Sequence, residues 1–120
     1  MTSISRRGFG GLFGASALGL AMPSLAFGAV PKVVVIGGGA GGATAARYIA
    51  KDSKGAIDVT LVEASKRYYT CFFSNLYLGG FRDYDSIGHG YDQLAANHRV
   101  NVVHEWASSV DNAGKMVKLA

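Results

Sequence analysis

Two short apolar runs on either side of an alanine-rich helical segment form the clearest pattern in the chain. The first run, Val33–Ile36, is continuous rather than alternating, which is typical of a strand buried on both faces. A helical segment from about Ala40 to Lys51 follows and leads into the turn formers Asp52–Gly55. The second run, Ile57–Val62, is again strand-like. The pattern predicts an α/β, Rossmann-like βαβ domain with a parallel sheet.

Glycines at the end of the first strand indicate what kind of ligand this unit binds. Gly37, Gly39 and Gly42 have the G-x-G-x-x-G spacing, which suits a tight turn, close approach of a pyrophosphate and close helix–strand packing, in that order. The helix N-terminus offers its amides to phosphate. Glu63 follows the second strand, about 20 residues on, where an acid accepts hydrogen bonds from a ribose diol. Together these features favour a dinucleotide site over a simple glycine-rich turn.

The rest of the chain has weaker patterns. We expect a loop over 64–75, a second loop over 81–89, and a third parallel strand near 100–104. A short helix, a second helix and a hairpin complete the expected elements, over residues 74–78, 90–97 and 107–119.

The first 28 residues read as a twin-arginine signal rather than as part of the fold. Arg6 and Arg7 precede an uncharged run diluted by glycine and alanine, and Pro23 would break a spanning helix near its end. Small residues close to Gly28 predict cleavage there and a periplasmic location, with no stable membrane span afterwards. The alternative is an uncleaved membrane anchor. Residues 29–120 are then expected to be the N-terminal part of an FAD/NAD(P)-binding domain in a longer enzyme.

Charge and histidine spacing exclude two classes of function. The net charge is +4, and Arg6 and Arg7 supply part of it, so the remaining excess of positive charge is too small to indicate nucleic-acid binding. The three histidines share no metal-ligand spacing. The sequence therefore predicts neither a nucleic-acid partner nor a metal site.

Cys71 is the only cysteine, in a chain expected to reach an oxidising compartment. Such a residue is a buried inert thiol, a free reactive thiol, or half of a disulfide with a distant partner. Its loop follows the second strand, from which the chain can turn back over a bound flavin ring. A thiol placed there can pass electrons to the flavin, so Cys71 is the candidate catalytic residue.

The segments VVVIGGGAGGATAARYI, VTLVEASKRYYTCFFSNLYLGG and HGYDQL, with the twin-arginine signal, resemble the flavoprotein subunit of flavocytochrome c sulfide dehydrogenase. The resemblance implies FAD as cofactor, a disulfide-reductase-like fold, oxidation of sulfide in the periplasm and a c-type cytochrome partner. It also implies a redox disulfide beside the flavin, with Cys71 as its first cysteine and the second beyond Ala120. No C-x-x-C-H occurs in the sequence, so a haem is expected on the partner.

Three alternatives remain open at this point: a sulfide:quinone oxidoreductase, a nicotinamide-linked flavin reductase, and an inactive nucleotide-binding remnant. In addition, Ala107, beyond the third strand, is expected to offer backbone groups to adenine. The residues expected to contact the cofactor are Gly37, Gly39, Ala40, Gly41, Gly42, Glu63 and Ala107.

Overall fold

The computed structural model describes residues 29–120, so the predicted signal over residues 1–28 lies outside the described part. The elements alternate between strand and helix at first and end in a hairpin. In chain order they are β1 (Lys32–Ile36), α1 (Ala40–Asp52), β2 (Asp58–Val62), β3 (Arg67–Tyr69), α2 (Ser74–Leu78), a 3₁₀ turn (Tyr84–Ile87), β4 (Gly88–Gly90), α3 (Asp92–His98), β5 (Asn101–Val103), β6 (Ala107–Asp111) and β7 (Met116–Leu119).

A three-stranded parallel sheet in the order β1-β2-β5 forms the centre of the fold. The register of β1 against β2 runs from Lys32 opposite Asp58 to Ile36 opposite Val62. The predicted βαβ unit with a third parallel strand is therefore confirmed. Because all three strands run the same way, their carboxyl ends meet at one edge of the sheet, where ligands bind in folds of this type.

The core lies between α1 and the middle strand β2. Leu61 and Ala46 are fully buried, and Val59 is nearly so. Alanine at the contact position of α1 lets the helix approach the sheet closely, because a methyl group fills little space. Tyr91 and Val100 complete the buried cluster from the α3 side.

The first strand is covered on one face only, so the prediction that β1 is buried on both faces is wrong. Burial alternates along the strand: Val33 and Val35 are half-buried, whereas Val34 and Ile36 are 45% and 49% exposed. Helix α1 lies over the first pair, and no element within residues 29–120 covers the second pair. A continuous apolar run does not reveal which of its residues a neighbouring layer will cover.

A two-stranded antiparallel ribbon, β3 with β4, replaces part of the two predicted loops. Arg67 lies opposite Gly90 and Tyr69 opposite Gly88. Glycine is required at 88, because a Cβ there would lie 2.7 Å from the Tyr69 ring and 2.9 Å from the Arg67 guanidinium. Strands of three residues show no periodicity, and the pairing partners are distant in the sequence, so the ribbon has no local signal.

The remaining elements agree closely with expectation. Helix α2 has the predicted bounds, and the hairpin of β6 and β7 is present, its turn held by the Asp111 carboxylate, which accepts hydrogen bonds from two backbone N–H groups. Helix α3 begins at Asp92, two residues later than predicted. Among the helices of residues 29–120, none is long and apolar enough to cross a membrane.

Candidate functional site

The glycine-rich loop leaves the carboxyl end of β1 in a conformation that only its glycines allow. Gly37 has φ of +95°, a left-handed value that favours glycine, and its N–H donates to the Val62 carbonyl at 2.8 Å. A Cβ on Gly42 would overlap the Gly37 carbonyl oxygen, so this glycine lets the helix start against the turn. The roles predicted for these two glycines in the turn and in helix packing are confirmed.

Two of the three glycines between them, Gly39 and Gly41, leave open space rather than avoid a protein neighbour. A Cβ on Gly39 would have only the Tyr68 ring near it, at 3.7 Å, and one on Gly41 would touch no atom within 4 Å among the described residues. No side chain of residues 29–120 caps α1, and its first turn holds no acid. The first N–H groups of an α-helix, here those of Ala40, Gly41 and Gly42, have no intrahelical acceptor. Open space before uncapped amides fits a pyrophosphate, as predicted for this loop.

Glu63 lies at the carboxyl end of β2 and is bonded to the loop. One carboxylate oxygen accepts the Gly38 N–H at 2.6 Å, and the other accepts the Ser65 N–H at 2.8 Å. These two backbone donors, that of Gly38 first, lower the pKa of Glu63 below its ordinary value of 4.5. Glu63 is therefore a charged acceptor beside the phosphate loop, and each of its oxygens keeps a lone pair for another donor. Its contact with a ribose stays a prediction.

Gly38 is the loop residue whose contacts with Glu63 and Tyr91 the sequence did not predict. It is buried, and a Cβ on it would lie 2.8 Å from Cγ of Glu63 and 2.5 Å from the Tyr91 hydroxyl. The spacing motif leaves this position unspecified, although three consecutive glycines, 37 to 39, were a visible signal. Because its neighbours come from distant parts of the chain, only the folded structure shows why glycine is needed there.

Cys71 is a free, exposed thiol just beyond β3, between the ribbon and α2. The ribbon lies next to the phosphate loop, since a Cβ on Gly39 would have the Tyr68 ring 3.7 Å away. Three residues of extended chain span at most about 10 Å, so Cys71 lies within that backbone distance of Tyr68. Just beyond β3, the Thr70 N–H donates to the Ile87 carbonyl at 2.9 Å. The thiol thus follows an element that lies beside the phosphate loop, and its role next to the flavin stays a prediction.

Ala107 is the predicted contact farthest along the chain. It opens β6, opposite Leu119, four residues beyond the end of β5. The preceding residue, Trp106, is 73% exposed, and its carbonyl accepts the Ala120 N–H at 2.9 Å. Ala107 is therefore engaged in the hairpin on one side, and its contact with adenine stays a prediction. Over residues 29–120 no group of three His, Cys, Asp or Glu side chains is placed to hold a metal ion.

Comparison with known proteins agrees with this geometry. The pyridine nucleotide-disulphide oxidoreductase family model matches residues 31–120. The sulfide dehydrogenase (flavocytochrome c) flavoprotein chain of Chlorobaculum thiosulfatiphilum is 52% identical over 44 residues, which make up 37% of this chain and 90% of that relative. This relative is a flavoprotein, and its match together with the family match identifies the cofactor as FAD.

Two solved structures share the fold. The sulfide:quinone oxidoreductase from the hyperthermophilic bacterium Aquifex aeolicus superposes with a TM-score of 0.65 at 25% identity, over 74% of this chain and 20% of that one. An NAD-dependent persulfide reductase from A. fulgidus gives 0.61 at 28% identity, over 73% and 18%. The chain thus spans about a fifth of each of these two proteins. By its fold, its phosphate loop and these matches, the chain belongs to the pyridine nucleotide-disulphide oxidoreductase family and groups there with the flavoprotein chains of flavocytochrome c sulfide dehydrogenase.

Proposed function

We propose that the chain is the FAD-binding portion of an exported, periplasmic sulfide dehydrogenase. The observation that carries this proposal is the exposed thiol directly after the β3–β4 ribbon, whose Tyr68 ring lies beside Gly39 of the phosphate loop. The identity of 52% to a sulfide dehydrogenase flavoprotein chain supports sulfide as the substrate.

The residues present fit FAD in its phosphate and ribose parts. The uncapped amides of Ala40, Gly41 and Gly42 donate to the pyrophosphate, and Glu63 accepts from ribose hydroxyl groups. Gly39 keeps the space through which the pyrophosphate reaches the backbone. When bound, FAD supplies a centre that accepts two electrons together and releases them one at a time.

Cys71 contributes the sulfur chemistry. In the proposed reaction it is paired in a disulfide with a second cysteine from outside these 120 residues, since the sequence contains no other. Hydrosulfide attacks one sulfur, a new S–S bond forms as a persulfide, the old disulfide bond breaks, and the other cysteine leaves as a thiolate. The proton of hydrosulfide passes to solvent. The two electrons given up by sulfide are then on that thiolate.

The electron acceptor distinguishes the proposed enzyme from the two proteins whose structures share its fold. We propose a c-type cytochrome partner, in keeping with the flavocytochrome relative. The likeness to a sulfide:quinone oxidoreductase and to an NAD-dependent persulfide reductase makes a quinone and NAD the two competing acceptors. The higher identity to the flavocytochrome relative favours the cytochrome.

The test uses the full-length flavoprotein and its Cys71→Ser variant. The variant should retain FAD, because the phosphate loop and Glu63 are untouched, and should lose bleaching of the flavin by sulfide. Turnover of the wild type is then measured with cytochrome c, with a water-soluble quinone and with NAD⁺. Bleaching of the variant at the wild-type rate would contradict the role of Cys71, and turnover with quinone or NAD⁺ alone would select the competing acceptor.

A further inference from the structure

The amide and the carbonyl of Gly38 are both held by side chains from other parts of the fold. Its N–H donates to Glu63, 25 residues away, at 2.6 Å. Its carbonyl accepts the hydroxyl of Tyr91, 53 residues away, at 2.9 Å. The neighbouring glycines are instead held by backbone bonds, from Gly37 to Val62 and from Ala43 to Gly39. Gly38 is thus the point at which side chains fix the phosphate loop.

We propose that Tyr91 is a positioning residue for dinucleotide binding: its hydroxyl fixes the Gly38 carbonyl, and so holds the phosphate loop in the shape that receives the cofactor. The inference rests on the proposed FAD-binding function and deepens it. Tyr91 contacts the loop at Gly38, and this role does not need a contact with the ligand.

Because Gly38 and Tyr91 are both buried, losing the hydrogen bond between them would be costly. Gly38 is buried and Tyr91 is only 5% exposed, so a Gly38 carbonyl without this donor would be left without a compensating partner. The ring is fixed as well, because it packs in the core cluster with Ala46, Leu61 and Val100. A donor that is held by core packing loses little conformational freedom when it bonds, so it restrains the loop effectively.

The steric fit indicates that glycine and tyrosine require each other. A Cβ on Gly38 would lie 2.5 Å from the Tyr91 hydroxyl and 2.7 Å from the adjoining ring carbon. The φ of Gly38 is not in the left-handed region, so the backbone itself accepts a side chain there. The absence of a side chain at Gly38 therefore allows Tyr91 and Glu63 to approach the loop backbone closely. Burial also raises the pKa of Tyr91, with the Glu63 charge as a lesser cause, and this keeps the hydroxyl protonated as a donor.

The experiment compares Tyr91→Phe with two controls in the full-length flavoprotein. Tyr91→Phe removes the hydroxyl and keeps the ring. Tyr48→Phe removes a hydroxyl from the exposed face of α1, for which the structure of residues 29–120 shows no hydrogen bond. Val59→Ala weakens the core near the amino-terminal end of β2, whereas the loop lies at the carboxyl end of the sheet. The readouts are the FAD dissociation constant, from flavin fluorescence, and amide exchange of the peptide covering residues 36–42 in ligand-free protein.

For Tyr91→Phe we expect an FAD dissociation constant about fivefold to tenfold higher and faster exchange in the loop peptide, the effect of one hydrogen bond to a buried carbonyl. Tyr48→Phe should match the wild type in both readouts. Val59→Ala should lower the urea midpoint yet keep the FAD affinity of its folded molecules. As a second variant, Gly38→Ala should weaken FAD binding at least as much as Tyr91→Phe, because its methyl group would displace both the Tyr91 hydroxyl and Glu63.

An unchanged FAD affinity and unchanged loop exchange in Tyr91→Phe would overturn the inference. Equal weakening of FAD binding in Val59→Ala would overturn it too, because the effect would then follow from general stability. If the wild type bound no FAD, the proposed function would fail, while loop exchange in Tyr91→Phe against Tyr48→Phe would still decide whether the hydroxyl fixes the loop.

Discussion

Replacing Glu63 with alanine tests the dinucleotide site most directly. The carboxylate accepts the Gly38 N–H at 2.6 Å, a short distance that is typical of a charge-assisted hydrogen bond. Alanine removes this bond, the bond from Ser65 and the proposed acceptor for ribose together. We therefore expect the variant to fold and to hold FAD poorly.

The magnitude follows from the number and kind of bonds lost. A hydrogen bond to a charged group contributes about 1.5–3 kcal/mol. The Gly38 and Ser65 bonds lie within the protein and form without FAD, so the expected loss of FAD-binding free energy is that of the proposed bond from the ribose to the charged carboxylate, about 1.5–3 kcal/mol. At about 1.4 kcal/mol for each tenfold change, the dissociation constant should rise from about tenfold to somewhat over a hundredfold.

The assay is equilibrium titration of the ligand-free, full-length protein with FAD, followed by flavin fluorescence. Asp58→Asn is the matched control, because it removes a carboxylate at the opposite, amino-terminal end of the same strand. Glu63→Gln gives an intermediate result, since its amide has one carbonyl oxygen and can keep only one of the two backbone donors. A dissociation constant for Glu63→Ala equal to those of wild type and Asp58→Asn would show that the acid does not serve the cofactor.

Three further predictions address stability and export. Because the pKa of Glu63 is lower in the folded state, its ionised form stabilises the fold, and this contribution is complete above the unfolded pKa of 4.5 and is lost as the pH falls through the folded pKa. The difference in unfolding free energy between wild type and Glu63→Gln should therefore shrink only below about pH 4.5. Gly42→Ala should lower the unfolding free energy, measured by urea denaturation, by about 1–3 kcal/mol or more, because its methyl group would overlap the Gly37 carbonyl. Gly41→Ala, with open space around it, should be neutral or stabilising by about 0.5–1 kcal/mol. Replacing Arg6 and Arg7 with lysine should leave the precursor in the cytoplasm, and undiminished periplasmic delivery on fractionation would refute the twin-arginine interpretation.

Local patterns were sufficient for much of this fold. The strand–helix–strand unit could be predicted because continuous and helical apolar patterns are properties of a few neighbouring residues. The turn at Gly37 and the tight helix start at Gly42 are likewise local, since the overlap that excludes a side chain at 42 is with a residue five positions earlier. The hairpin of β6 and β7 was predictable for the same reason, because its turn formers lie between its strands.

Contacts between distant residues account for what the sequence did not reveal. The β3–β4 ribbon pairs Arg67 with Gly90, and neither three-residue strand has a period that could be recognised. Exposure of Val34 and Ile36 depends on which layers cover the sheet, which an apolar run cannot encode.

For the site too, some features could be predicted from the sequence and others are visible only in the structure. Spacing alone predicted that Glu63 and the glycine loop would be neighbours, because a βαβ unit brings the ends of parallel strands to one edge. The tertiary structure alone decided that the Gly38 peptide is held on one side by Glu63 and on the other by Tyr91. Hydrogen bonds depend on distances within a few tenths of an ångström, and only the core cluster in which Tyr91 packs with residues of α1 and β2 fixes its hydroxyl to that accuracy.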